Sequence, residues 1–425
     1  MSEEGNVIEP WVALVIVGVL VLYYVLRLII WSNAMRVHRK EAVKDRRQAE
    51  ALAQAPSGQD LTARREEMDI SWGQIGRRIV GGLGVRRGEL VAVRDNVGRL
   101  DVLLEILLEM ELRGATPLVQ HMPPDYMGRF LQQVPPDILA EWDHHRAAWA
   151  EQQDRVLVLT SADPGFDDLP QARVRVWQEA VDRLTALEEQ RLCPYLLVAI
   201  PSAARAAQLG LSEEELEAIL LPALAASAKD LQGEIDHALG LARGGGQIVL
   251  YSGEGHTLWL QQGDRAWLYD NGYVEQADRQ RGADGSNLPG GSIYTTVIEE
   301  ETEGSLWLPK AAGATDVVLA FRRGRAEQIE AASGAAALRK LFDRHSGEPR
   351  RVSHIGVGLN PTLREPIGWT LVDEHVHGHV FVAFGENRYM GGKNASSLNI
   401  DFALPGATLL VGDRVVVSKG VVGSM

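Results

Sequence analysis

One cysteine, Cys193, occurs in 425 residues. An intrachain disulfide is therefore impossible, and a reducing compartment is the simpler reading. Positive charge is also scarce: 43 Lys and Arg stand against 57 Asp and Glu, a net charge of −14. Phosphate backbones need a basic surface, so no nucleic-acid partner is expected. No G-x-S-x-G, H-E-x-x-H or C-x-x-C appears, which leaves none of the usual local signatures of a serine hydrolase, a helical zinc peptidase or a thiol redox protein. Long apolar runs are missing as well, with one exception. With 45% hydrophobic and 24% charged residues, the chain is neither polytopic, disordered nor collagen-like.

The exception is Trp11 to Trp31, WVALVIVGVLVLYYVLRLIIW, whose one charge is Arg27. As a helix it would rise about 30 Å, the thickness of a hydrocarbon core. Trp11 and Trp31 would close its ends at headgroup depth, and Arg27 could snorkel outward. A signal peptide needs a basic start, whereas MSEEGNVIEP carries Glu3, Glu4 and Glu9 and no Lys or Arg. The expectation is a single-pass anchor in the cell membrane. Residues 32–50 hold Arg36, Arg39, Lys40, Lys44, Arg46 and Arg47 against Glu41, Asp45 and Glu50. The positive-inside rule puts that side in the cytoplasm and residues 1–10 outside. The same basic stretch can touch anionic lipid headgroups.

Residues 32–70 read as a polar stalk, broken near Pro56–Gly58, that tethers the body to the bilayer. Residues 71–243 alternate strand and helix. Glu89-Leu-Val-Ala-Val, Pro117-Leu-Val-Gln, Val156-Leu-Val-Leu and Leu196-Leu-Val-Ala-Ile read as strands, and Leu100–Leu112 and Pro170–Gln190 as helices. Ser212-Glu-Glu-Glu215 is a capping-box start. The implied architecture is an α/β domain of βαβ type. At Gly244-Gly-Gly246 the period changes, and residues 244–425 read as a β-rich α+β domain. Asp270-Asn271-Gly272 is the expected hairpin turn and Arg325–Arg344 the one helical stretch.

Gly81-Gly82-Leu83-Gly84 with Gly88 follows a helical segment and lacks G-x-G-x-x-G spacing, so it reads as a turn and not a phosphate loop. Cys193, before Pro194, reads as a buried structural thiol. Glu299-Glu-Glu301 with Glu303 reads as a solvated edge. The most suggestive cluster is Glu374-His375-Val-His377-Gly-His379-Val-Phe381. On a strand, His375, His377, His379 and Phe381 would share one face and could present imidazoles to a metal, with His354 and Asp401 on flanking strands.

Several segments in order resemble the M29 metallopeptidases, the thermophilic aminopeptidase T family. They are Gly82-Leu-Gly-Val-Arg-Arg-Gly-Glu-Leu-Val, Gly210-Leu-Ser-Glu-Glu-Glu-Leu, Gly255-His-Thr-Leu, Asp270-Asn-Gly272 and Asn287-Leu-Pro-Gly-Gly291. Gly356-Val-Gly-Leu-Asn-Pro361, Gly391-Gly392 and Ser396-Ser-Leu-Asn-Ile-Asp401 complete the set. The resemblance implies an α/β N-terminal domain, a β-rich metal domain and a tendency to form homodimers. It also implies two divalent ions, whose ligand positions here carry Ser292, His354, Phe381, Asn399 and Asp401, with Tyr389 at a family tyrosine. Of the first five, only the aspartate keeps the family's residue type. Two close dications need bridging carboxylates to offset their repulsion, so the expectation is no bound cofactor and no catalysis. The implied role is a membrane-anchored scaffold, or a subunit of a larger membrane complex. The alternative is a metal-dependent aminopeptidase acting on peptides, with Zn or another divalent transition metal held by His354, His377, His379 and Asp401.

Overall fold

The computed structural model describes residues 70–423 apart from 124–125, 163–168, 254, 276–284 and 344. The anchor expected at Trp11–Trp31 and the basic stretch after it lie outside the described residues. Among those that are described, no helix is long and apolar enough to cross a membrane.

The first layer is a five-stranded sheet ordered Thr116–His121, Leu90–Asp95, Arg155–Thr160, Tyr195–Ala199 and Gly285–Leu288. Every pairing in it is parallel. Its central strands are apolar on both faces because helices cover both. Trp72–Leu83 and Leu100–Leu112 pack Ile75, Ile79, Val80, Ile106 and Met110 against Val91, Val93, Leu157 and Leu196. Ser71 caps the first helix by accepting from Gln74 N at 3.3 Å, and Gly84 ends it at φ 70°. The Gly81–Gly84 cluster is thus the end of a helix that turns toward the Leu90 strand. The capping box at Ser212 and Glu215 is formed in both directions. Cys193 is buried, its thiol directed at Gln153 O.

The fifth strand of that sheet comes from beyond residue 244. Gly285–Leu288 runs parallel to Tyr195–Ala199. The remaining strands after residue 244 form two antiparallel sheets around one core. An eight-stranded sheet runs Arg325–Ser333, Ala314–Arg322, Glu303–Ala311, His256–Gln261, Gln247–Gly253, Thr408–Val411, Arg414–Ser418 and Val421–Val422. A five-stranded sheet runs Asn399–Leu404, Val380–Gly385, Val352–Gly358, Ser292–Thr296 and Leu268–Asp270. Leu306, Leu308 and Leu319 of the former meet Ile355, Val357, Val382, Phe384 and Phe402 of the latter. Burying apolar side chains of both sheets in one layer is what holds them together.

Three expectations need correction. Arg325–Arg344 is not one helix: Arg325–Ser333 is a strand paired with Ala314–Arg322, and only Ala335–Asp343 is helical. Its helix-favouring composition is overridden by pairing, with Gly334 at φ 76° marking the break. Asp270-Asn271-Gly272 is not a hairpin turn, because Leu268–Asp270 pairs with Ser292–Thr296 across a long connection. The turn instead meets the N-terminal helix: Arg78 donates to Asn271 O and Gly272 O at 2.9 and 3.0 Å, and Val274 N donates to Gly82 O at 2.8 Å. Finally, Glu374–His379 is not a strand. The helix Thr370–Asp373 leads into successive turns, and the strand begins only at Val380. Gly378, at φ 77°, packs on the Gly420 carbonyl, where a side chain has no room.

Candidate functional site

Side chains alternate faces along a strand, and directly opposed residues of antiparallel neighbours share a face. In the smaller antiparallel sheet one face carries Ile355, Val357, Val380, Val382, Phe384 and Phe402 into the core. The opposite face is set by register. Thr296, His354, Ala383 and Asp401 form one cross-strand row. Tyr294, Gly356, Phe381 and Ala403 form the next. Ser292 lies between Asp270 and Gly358, and Asn399 lies opposite Gly385. The structure therefore brings Ser292, His354, Phe381, Asn399 and Asp401 to one face of one sheet.

All five are buried. The small side chain of Ala383, between them, lets His354 Nε2 reach Asp401 Oδ1 at 3.2 Å. On the other side of the imidazole, Ser353 Oγ lies 2.9 Å from Nδ1 and donates to Glu386 O at 2.7 Å. A hydroxyl has one hydrogen, so with that hydrogen on Glu386 O the serine accepts from Nδ1–H. Two rings clamp the imidazole: Tyr294, tilted, at 5.7 Å and Phe381, edge-on, at 5.9 Å between centroids. Phe381 reaches this position by lying across Gly356, where a Cβ would strike its ring. Asn399 Nδ2 donates to Tyr389 Oη at 3.0 Å.

The histidine-rich segment goes elsewhere. His377 Nε2 lies 3.2 Å from Glu234 Oε2 on the Ala228–Ala242 helix. His375 Nε2 is 3.5 Å from Glu374 Oε1, which also accepts from Asn287 Nδ2 at 3.3 Å. His379 is buried, and burial, aided by neighbouring His377, holds its pKa below the ordinary value. His375, His377 and His379 therefore do not form the shared strand face expected from their spacing.

These donors do not fit the pair of ions implied by the resemblance. Ser292 is a poor ligand, Phe381 is no ligand, and His354 and Asp401 face each other. Among the described residues no group of three or more His, Cys, Asp or Glu side chains is arranged to hold a metal ion.

Tyr294, Ser353 and Glu386 were not singled out from the sequence. Tyr294 could have been found by counting two from Ser292 along the strand. Glu386 could not, since it sits in the connection after Gly385, where it holds Arg388 Nε at 2.8 Å and Ser396 N at 2.9 Å. The Glu299 run is likewise only partly a solvated edge. Glu299 is tucked in, paired with Arg265 at 3.2 Å and accepting from Lys393 N at 2.5 Å.

A family model for NicX, 2,5-dihydroxypyridine 5,6-dioxygenase, matches residues 214–424. No curated protein matches the chain. Among solved structures, AmpT from Thermus thermophilus is similar over 83% of this chain and 99% of its own, with a TM-score of 0.65 and 18% identity. The 2,5-dihydroxypyridine dioxygenase of Pseudomonas putida KT2440 is similar over 87% of this chain and 99% of its own, with a TM-score of 0.56 and 17% identity. At such identity the likeness speaks of fold alone, and the described residues have an M29-like fold.

Proposed function

We propose that this chain is a membrane-anchored M29-like protein that works by binding, as a scaffold or as a subunit of a membrane complex on the cytoplasmic face, and not by two-metal peptide hydrolysis. One observation carries the reading. On the sheet face where the resemblance implies metal ligands, His354 and Asp401 face each other at 3.2 Å. A dication placed there would meet one carboxylate, with Ser292 and Phe381 offering no charge to offset it. Homodimerisation and attachment through residues 11–31 are part of the same proposal.

The rival reading is a metallo-aminopeptidase around His354, His377, His379 and Asp401. It would require His377 to leave Glu234 and the His354–Asp401 pair to open. The dioxygenase family match adds an oxidative variant of that rival, ring opening of a dihydroxypyridine with O2. One experiment addresses all three. The full chain is loaded separately with zinc, cobalt, manganese and iron(II), and bound metal is measured by elemental analysis. Release of N-terminal residues from peptides and O2 uptake with 2,5-dihydroxypyridine are followed in parallel. The binding reading expects less than a tenth of an equivalent of metal and no turnover. Stoichiometric metal with turnover lost in Asp401→Ala would overturn it.

A further inference from the structure

We infer that the exposed face of the Leu100–Leu112 helix is a docking site for the basic segment 32–50 of the same chain. The helix reads LDVLLEILLEMEL, and Val102, Leu103, Ile106 and Met110 bury one face against the parallel sheet. The other face carries Leu100, Leu104, Leu108 and Leu112, exposed by 74%, 63%, 51% and 73%. Spaced four apart, they form one oblique ridge of the kind that interdigitates with another helix. A contiguous apolar strip of this kind marks an interaction surface.

The occupant follows from charge and chain path. Glu105 and Glu111 flank the leucines, Asp101 and Glu109 are paired with Arg99 and Arg113 at the two ends, and the helix itself has no Lys or Arg. A second copy of this ridge, or an anionic bilayer, would bring like charges together. Residues 32–50 offer the opposite sign: Arg36, Arg39, Lys40, Lys44, Arg46 and Arg47 outnumber three acids. Met35, Ala42 and Ala49 recur there every seven residues, the spacing of a seam that could sit against leucines.

The chain also enters at the right place. Trp72 stacks under the Arg99 guanidinium at 4.9 Å, and Arg99 immediately precedes Leu100. Gly73 and Gly76 let the Trp72–Leu83 helix lie directly against Glu105, where a Cβ on Gly76 would stand 3.1 Å from its carbonyl. The first helix therefore begins with Trp72 beside Arg99, next to the first leucine. Residues 51–69 can span up to about 60 Å when extended, against a stripe about 18 Å long. This docking goes beyond the binding reading and stands whether or not the chain is catalytic.

The test uses the full chain in uncharged detergent micelles. Leu104→Cys is combined with Ala42→Cys, and the sole native cysteine, Cys193, is buried. The expected result is a disulfide within one chain on mild oxidation, mapped by peptide mass. It should form at least tenfold faster than in a control pairing Ala42→Cys with Asp413→Cys on an exposed turn. Reversing Arg39→Glu, Arg46→Glu and Arg47→Glu together should slow it at least tenfold. Disulfide-linked dimers from Leu104→Cys alone would assign the face to a second copy and overturn the proposal. So would equal rates for test and control pairs, or protection of Leu104→Cys from maleimide only when anionic vesicles are added.

Discussion

His354 is an imidazole at a position where the resemblance implies a glutamate. Ser353 hydrogen-bonds the imidazole at Nδ1, and Asp401 Oδ1 lies 3.2 Å from its Nε2. Both members of the His354–Asp401 contact are nearly inaccessible, so removing one strands the other in a dry environment. Asp401→Ala is expected to lower the unfolding free energy by about 2–3 kcal/mol, read from urea melts. A loss below a few tenths of that would mean the contact contributes nothing. Restoring ligands should reverse the site's character. A variant combining Ser292→Glu, His354→Glu, Phe381→His and Asn399→His is expected to take up more divalent metal than the parent. Equal metal content by elemental analysis would refute that expectation.

Asp373 supplies a residue-scale prediction in pH. Burial raises its pKa to about 7, with Glu374 adding to the rise, while the N–H groups of Ile367 and Gly368 oppose it. A carboxyl whose folded pKa lies above its unfolded value near 3.8 binds its proton more tightly when folded. Its contribution to stability is therefore full below about pH 4 and is lost as pH rises toward about 7. Urea midpoints between pH 4 and 7 should fall more steeply for the parent than for Asp373→Asn. Parallel slopes would show that Asp373 is not the titrating group.

At the scale of elements, how much could be read in advance depended on whether the cause was local. The Ser212 cap, the Leu100–Leu112 helix and the apolar parallel strands follow from short-range pattern, and each was legible. The five family positions share one sheet face through the register between strands, which no single segment shows. Arg325–Ser333 is a strand because pairing with Ala314–Arg322, just before it across the turn at Arg323–Gly324, overrides its helix-favouring composition. The histidine segment failed for a related reason: Gly378 bends the chain to meet Gly420, a contact no window around residue 378 contains. The turn at Asn271–Gly272 is the clearest non-local device. Gly82 lets that turn lie on the N-terminal helix, since a Cβ there would collide with Gly272 O. Gly82→Ala should cost about 1–3 kcal/mol through this overpacking, read as a fall in melting temperature. An unchanged melting temperature would show that the helix end gives way freely.

At the scale of the whole molecule, the sequence change at Gly244 marks where strands begin to alternate, but it does not separate the structure cleanly. Gly285–Leu288 pairs with Tyr195–Ala199 and closes one edge of the first sheet. Leu288 lies in the same core as Leu196 and Val198. A fragment of residues 70–244 keeps the rest of that core but leaves the Tyr195–Ala199 edge open, so it is expected to melt below the whole chain. Circular dichroism melts and limited proteolysis should show a lower transition temperature and faster cleavage. Equal melting temperatures would contradict the expectation.

The same strand has a consequence in time. A chain leaves the ribosome at roughly 5–20 residues per second, N-terminal end first. The first sheet is thus left with an open edge for some seconds after its own four strands have emerged. During that interval Tyr195–Ala199 presents unpaired backbone groups to any neighbouring nascent chain. Synthesis rate, and not equilibrium stability alone, would then set how much of this protein reaches its folded form.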